Sequence, residues 1–128
     1  MSLKQFIEDS LCSTTRDKTY TIHINKEACA IIKNKTNLNI LDYKFIINEE
    51  YIRHIRNGHK EDLYLLEKLP EILNFFSNVE KSITKARRTR KNEVSLVFKK
   101  TLEDGTVKMV ALKISNKKIL SLRTFFRP

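Results

Sequence analysis

Val94-Ser-Leu-Val-Phe-Lys-Lys-Thr-Leu-Glu-Asp-Gly-Thr-Val-Lys-Met-Val-Ala-Leu-Lys-Ile114 reads as two arms of period two around a central Asp-Gly. In the first arm Val94, Leu96 and Phe98 recur at every second position. In the second, Val107, Met109 and Ala111 share one face, and Val110, Leu112 and Ile114 share the other. A period of two belongs to a strand, whose successive side chains point to opposite faces. Asp104-Gly105 between the arms is a strong hairpin signal, because glycine reaches the positive φ that tight hairpin turns require. Asn116-Lys117 predicts a second tight turn before a strand over 119–126, with Leu120, Leu122 and Phe126 on one side. A further strand within residues 79–88 completes a meander of about four antiparallel strands.

Upstream of Ser77 the period is mostly 3.6. Leu3, Phe6, Ile7 and Leu11 mark an amphipathic helix over 3–12, and Ala28, Ile31 and Ile32 mark another over 27–35. Two short strands punctuate them, one over 18–25 (Tyr20, Ile22 and Ile24 on one face) and one over 43–47. Asn48 is a good N-cap, and Glu49 and Glu50 lie in the first turn, where the helix dipole favours carboxylates. That helix runs through Arg56 and ends at Gly58, a residue able to take a left-handed conformation. From Glu61 a stripe of Leu65, Leu66, Leu69, Ile72, Leu73 and Phe76 predicts a further helix, with Pro70 opening a new turn. The expected class is α+β: N-terminal helices packed on one face of a C-terminal twisted antiparallel sheet.

The chain has 128 residues, 41% hydrophobic and 31% charged, with two glycines and two prolines. One domain spanning 1–128 fits that length, and the composition excludes a disordered tail or a collagen-like fibre. No apolar run approaches the roughly 20 residues of a membrane span, and the N-terminal residues have helical spacing rather than a signal peptide's apolar block. A cytoplasmic protein without membrane contact is expected. Cys12 and Cys29 lack CxxC spacing, which suits a reducing compartment and supplies no metal or redox motif.

The net charge is +10, and it is uneven. Residues 1–64 carry ten basic and nine acidic side chains, whereas residues 65–128 carry fifteen and six. An excess of this kind attracts polyanions, phosphate backbones above all. A solvated lysine-rich surface without a partner is the competing explanation. Arg87, Arg88, Arg90 and Lys91 form a dense run before the second strand of the meander, and Lys99, Lys113 and Arg123 fall on strands. The run is either a solvated loop or a phosphate clamp.

The three histidines are His23, His54 and His59. Two fall in Tyr51-Ile-Arg-His-Ile-Arg-Asn-Gly-His59, with Tyr51, Ile52 and Ile55 as the buried stripe, His59 at its end and His54 on its flank. An imidazole held at a helix end suits proton transfer near neutral pH, although a capping or packed histidine has the same spacing. A zinc site is not expected: a separation of five puts the two rings off one face, and no CxxC or HExxH partner exists. With Leu120, Leu122 and Phe126 toward the helices, Thr124 is the one hydroxyl on that stripe, and Ser121, Arg123 and Phe125 point to the open face. Phe125 and Phe126 are candidates to stack a base or to fill the core. Metal-independent RNA cleavage needs a base for the 2′-hydroxyl, an acid for the leaving 5′-oxygen, and cations or hydroxyls for the phosphorane. All three kinds of group are present, and no cofactor motif is.

His54-Ile-Arg-Asn-Gly-His59, Leu69-Pro-Glu-Ile-Leu73, Leu96-Val-Phe-Lys-Lys100 and Leu120-Ser-Leu-Arg-Thr-Phe-Phe-Arg127 resemble the phage-associated branch of the Barnase–EndoU–Colicin–RelE nuclease superfamily. The resemblance covers residues 43–127 and leaves 1–42 as an N-terminal α/β extension without an assigned role. It implies a metal-independent ribonuclease, a toxin or phage-encoded effector. Its partners would be RNA, tRNA among the candidates, and an acidic immunity or antitoxin protein. By residue it implies His59 as the helix histidine, with His54 close by, Lys99 as the strand cation and Thr124 as the last-strand hydroxyl. Arg88 matches loosely, and Arg87, Arg88, Lys91, Lys113 and Arg123 are the expected nucleic-acid contacts. The competing classes are a non-catalytic nucleic-acid-binding module and a phage structural component, both using the same basic sheet face.

Overall fold

A computed structural model of the chain describes residues 2–58, 60–85, 91–103 and 105–127. The elements follow in the order α1 (Leu3–Cys12), β1 (Thr19–His23), α2 (Lys26–Thr36), β2 (Lys44–Asn48) and α3 (Glu49–Gly58). A 3-10 helix (Lys60–Lys68), α4 (Leu69–Asn74), β3 (Asn78–Lys85), β4 (Asn92–Leu102), β5 (Gly105–Ile114) and β6 (Ile119–Phe126) complete the chain. The α+β class and the order of helices before strands agree with the sequence. The size of the sheet does not: among the described residues it has six strands, ordered β1-β2-β6-β5-β4-β3, rather than about four.

The expected meander is β3–β6, antiparallel throughout. β4 and β5 are in register from Ser95↔Leu112 to Leu102↔Gly105. Gly105 has φ +137, the region open to glycine, so the residue read as part of the turn opens the returning strand. Asp104 lies outside the described residues. The second turn spans residues 115–118, with Lys118 at φ 52.

The two additional strands come from the N-terminal third. β1 pairs antiparallel with β2, and β2 runs parallel to β6 through Lys44↔Ile119, Phe45↔Leu120 and Ile46↔Ser121. Parallel neighbours require a long crossover, and here it comprises α3, the 3-10 helix, α4 and β3–β5. Local alternation marks β1 and β2 as strands but carries no information about partners so distant in sequence.

One core joins the whole chain. Leu3, Phe6 and Ile7 of α1, Ile22, Cys29 and Ile32 share a buried cluster with Phe45, Ile52, Leu66, Leu96, Met109 and Phe125. In α2 the buried stripe is Ala28, Cys29 and Ile32, while Ile31 is exposed, a rotation from the expected face. The stripe from Leu65 to Leu73 is buried as read, but its first part is a 3-10 helix, and Pro70 sits in the first turn of α4. Residues three apart share a face in both helix types, so spacing alone does not separate them.

β6 departs from simple alternation. Ala111 pairs with Leu122 and Val110 with Thr124, so Arg123 is a bulged residue without a partner of its own. Beyond the bulge the phase changes: Phe125 is buried at 1% exposure and Phe126 is only half-buried, the reverse of the expected assignment. Thr124 therefore leaves the buried stripe and shares the face of Val110.

Candidate functional site

The site grows from the junction where β2 ends and α3 begins. The Asn48 Oδ1 accepts from the Glu50 backbone N–H at 2.8 Å, capping the helix as its position predicts. Glu49 turns inward and is 1% exposed. Its Oε2 accepts from the Lys18 backbone N–H at 2.7 Å and the Thr15 hydroxyl at 2.8 Å, and its Oε1 from Arg53 at 3.2 Å. Burial alone would raise the carboxyl's pKa. Hydrogen bonds from Ser13, the Lys18 backbone, Thr15 and Arg53 outweigh it and hold the pKa at about 2.

Arg53 also donates to the Ser10 carbonyl at 3.1 Å and to the Thr15 carbonyl, and Arg56 donates to the Leu11 carbonyl at 2.9 Å. Both arginines thus satisfy carbonyls at and just beyond the end of α1, which no intrahelical N–H can reach. These cations beside His54 in sequence fasten α1 to α3.

The outward face of α3 carries Glu50 and His54, one turn apart and both exposed. Arg16 Nε lies 3.7 Å from Glu50 Oε1. The Tyr51 ring packs 6.0 Å from the His54 ring at 35°. β2 stops at Asn48 and its pairing with β6 ends at Ser121, so the β6 edge beyond Ser121 is left to α3. Tyr51 fills that gap: its phenol is hydrogen-bonded to the Thr124 side chain and the Phe125 backbone. Burial pushes the phenol up to about 12, more than those two bonds lower it.

A cleft of about 310 Å³ opens here, lined by Asn48, Glu50, Tyr51, His54, Ser121, Leu122 and the bulged Arg123. A second cleft of about 310 Å³ adjoins it, lined by Thr14, Arg16, Arg53 and Asn57 together with the same Glu50 and His54. Carboxylate and imidazole therefore form a shared ridge, with an arginine on each side. Such a groove supplies two proton-transfer groups, a guanidinium on either flank for a phosphate, and the hydroxyls of Ser121 and Tyr51.

Of the residues singled out from the sequence, the structure brings His54, Arg123 and Thr124 to this junction, Thr124 through Tyr51. Lys99 is on β4, two strands from β6, with its Nζ 3.1 Å from Glu80 Oε1, and it lines neither cleft. Lys91 and Lys113 come together elsewhere, lining a cleft of about 440 Å³ by the β5–β6 turn. There Lys113 Nζ donates to Ser115 Oγ at 3.0 Å and sits 5.6 Å from the Tyr43 ring centre. His59, Arg87 and Arg88 lie outside the described residues, as does Arg90. Sequence reasoning missed Glu50, Tyr51, Ser121 and Arg16 as site residues. The Glu50–His54 spacing of four was the available signal for the first, and nothing local ties Arg16 to α3.

Among the described residues no group of three or more His, Cys, Asp or Glu side chains is arranged to hold a metal ion, and no helix is long and apolar enough to cross a membrane. No protein family matches the chain, no curated protein matches it in sequence, and no solved structure matches it.

Proposed function

We propose that the chain is a metal-independent ribonuclease whose proton-transfer pair is Glu50 and His54. One observation carries this reading: a carboxylate and an imidazole, one helical turn apart, share a ridge flanked by Arg16 and Arg123. An ionised carboxylate can only accept, so Glu50 takes the proton from the ribose 2′-hydroxyl. The 2′-oxygen then bonds to phosphorus while the P–O5′ bond breaks, and the His54 imidazolium gives its proton to the departing 5′-oxygen. The products are a 2′,3′-cyclic phosphate and a 5′-hydroxyl. Arg123 and Arg16 stabilise the extra negative charge of the phosphorane, the role of fixed cations at a developing anion. Tyr51, tied to Thr124 and the Phe125 backbone, packs beside the His54 ring and acts as a positioning residue.

The test incubates the purified chain with an RNA oligonucleotide and with DNA of the same sequence, both in EDTA. The reading expects cleavage of RNA only, with cyclic-phosphate ends. Equal cleavage of DNA, or loss of activity in EDTA, contradicts it. Tight RNA binding without any cleavage replaces it with the non-catalytic binding module.

A further inference from the structure

The strands next to the cleft share a feature that proton transfer does not require. β1, β2, β5 and β6 contain no Asp or Glu, and they carry His23, Lys44, Lys108, Lys113 and Arg123. The sheet's two strand carboxylates, Glu80 and Glu93, are on β3 and β4, the other half of the sheet. Residues in register share a face, and Phe45, Ile47, Leu120 and Leu122 are buried in the core. The opposite face of β1-β2-β6 therefore presents Thr19, Thr21 and His23, then Lys44, Ile46 and Asn48, then Ile119 and Ser121. Thr21, His23 and Lys44 are exposed, and Ile46 and Ile119 are half-buried and stand outside the core cluster. At the far end, Lys117 and Lys118 are exposed on the 115–118 turn, where the Lys118 carbonyl accepts from the Lys44 backbone N–H at 3.1 Å. That turn leads along β6 to Arg123 and the His54 cleft.

We infer that this face is a track for single-stranded nucleic acid, running from the lysine turn along the β2–β6 seam into the cleft. The inference rests on the proposed nuclease reading and names its substrate: an unpaired strand several nucleotides long. Charge sets the polyanion class, since four adjacent strands without a carboxylate repel no phosphate. The aliphatic strip of Ile46 and Ile119 between cations suits unpaired bases, which lay an apolar face on a protein surface. A duplex hides those faces and offers the sheet only phosphates. From Lys117 to Arg123 is six residues, about 20 Å along a strand, or roughly six stacked nucleotides at about 3.4 Å each.

The test neutralises the end of the track farthest from the chemistry, with Lys44→Gln, Lys117→Gln and Lys118→Gln combined. Binding is read by fluorescence anisotropy on a 12-nucleotide single strand bearing 2′-O-methyl groups, which cannot be cleaved by 2′-hydroxyl attack. The variant should lose at least about tenfold in affinity, and its log–log salt slope should fall by about 2, near 0.7 per phosphate contact. Cleavage of a dinucleotide, which reaches only the cleft, should be unchanged. A second variant, Thr21→Glu, puts a carboxylate at an exposed position beside Ile46 and should weaken the same 12-mer. Wild-type affinity in both variants, or tighter binding of a 12-base-pair duplex than of the single strand, overturns the track. If no RNA is cleaved but the variants still lose the 12-mer, the track stands and the nuclease reading falls. If cleavage persists while 12-mer binding is unaltered, the track alone falls.

Discussion

Neighbouring carboxylates on α3 have opposite fates. Glu49 faces inward to a ring of donors, while Glu50 faces out beside His54. Because the Glu49 pKa is depressed to about 2, its contribution to stability is fully present above the ordinary value of 4.5 and is lost as pH falls toward 2. Acid unfolding followed by circular dichroism should therefore show a loss of stability between about pH 4.5 and 2. Glu49→Gln, less stable at pH 7, should lack that component. Ser10 gives a prediction of opposite sign. Its hydroxyl is buried without a hydrogen-bond partner, while its carbonyl is held by Arg53. Ser10→Ala removes the unpaired group, leaves the carbonyl in place and improves helix propensity, so thermal unfolding should show a gain of about 1 kcal/mol. Glu49 and Glu50 were both legible as first-turn carboxylates. Which of them is buried was not, because the donors on Thr15 and Lys18 reach it from a loop more than thirty residues away.

At the scale of elements, the seam between α3 and the β6 edge holds the site together. Tyr51→Phe deletes the phenol that meets Thr124 and the Phe125 backbone, and should cost about 1–2 kcal/mol in denaturant unfolding. The raised phenol pKa adds a signature in base. The stability tied to it is complete below about pH 10 and disappears as pH rises toward 12, so the wild type should weaken over that window. Tyr51→Phe should lose this part of the alkaline dependence. The β4–β5 hairpin and the start of α3 could be read from alternation, Asp104-Gly105 and Asn48, since each signal acts between neighbours in sequence. The bulge at Arg123 could not. β6 contains no glycine or proline to mark it, and its phase change follows from pairing with β5 and from Tyr51 closing the other edge.

Across the whole molecule, β1 and β2 extend the meander into a six-stranded sheet and bring α1 and α2 into its core. Phe45 is fully buried and pairs with Ile22 on one side and Leu120 on the other. Phe45→Ala should cost about 3–5 kcal/mol and lower a single unfolding transition rather than release the N-terminal third alone. Calorimetry and near-ultraviolet circular dichroism should report the same midpoint. The basic half of the chain was legible as a charge imbalance. That the four strands β1, β2, β6 and β5, which carry no carboxylate, lie side by side became visible only with the strand order. The parallel neighbours β2 and β6 place Asn48 and Ser121 at one cleft, and no local pattern encodes that meeting. The proposed ribonuclease activity places proton transfer at His54 in this cleft. The most direct measurement is the single-turnover rate, in EDTA, on a DNA oligonucleotide containing one ribonucleotide, for wild type and His54→Ala. The proposed function predicts scission only after the ribonucleotide and a loss of at least about a hundredfold in the variant, with its fold intact by circular dichroism. A His54→Ala rate equal to that of the wild type would contradict it.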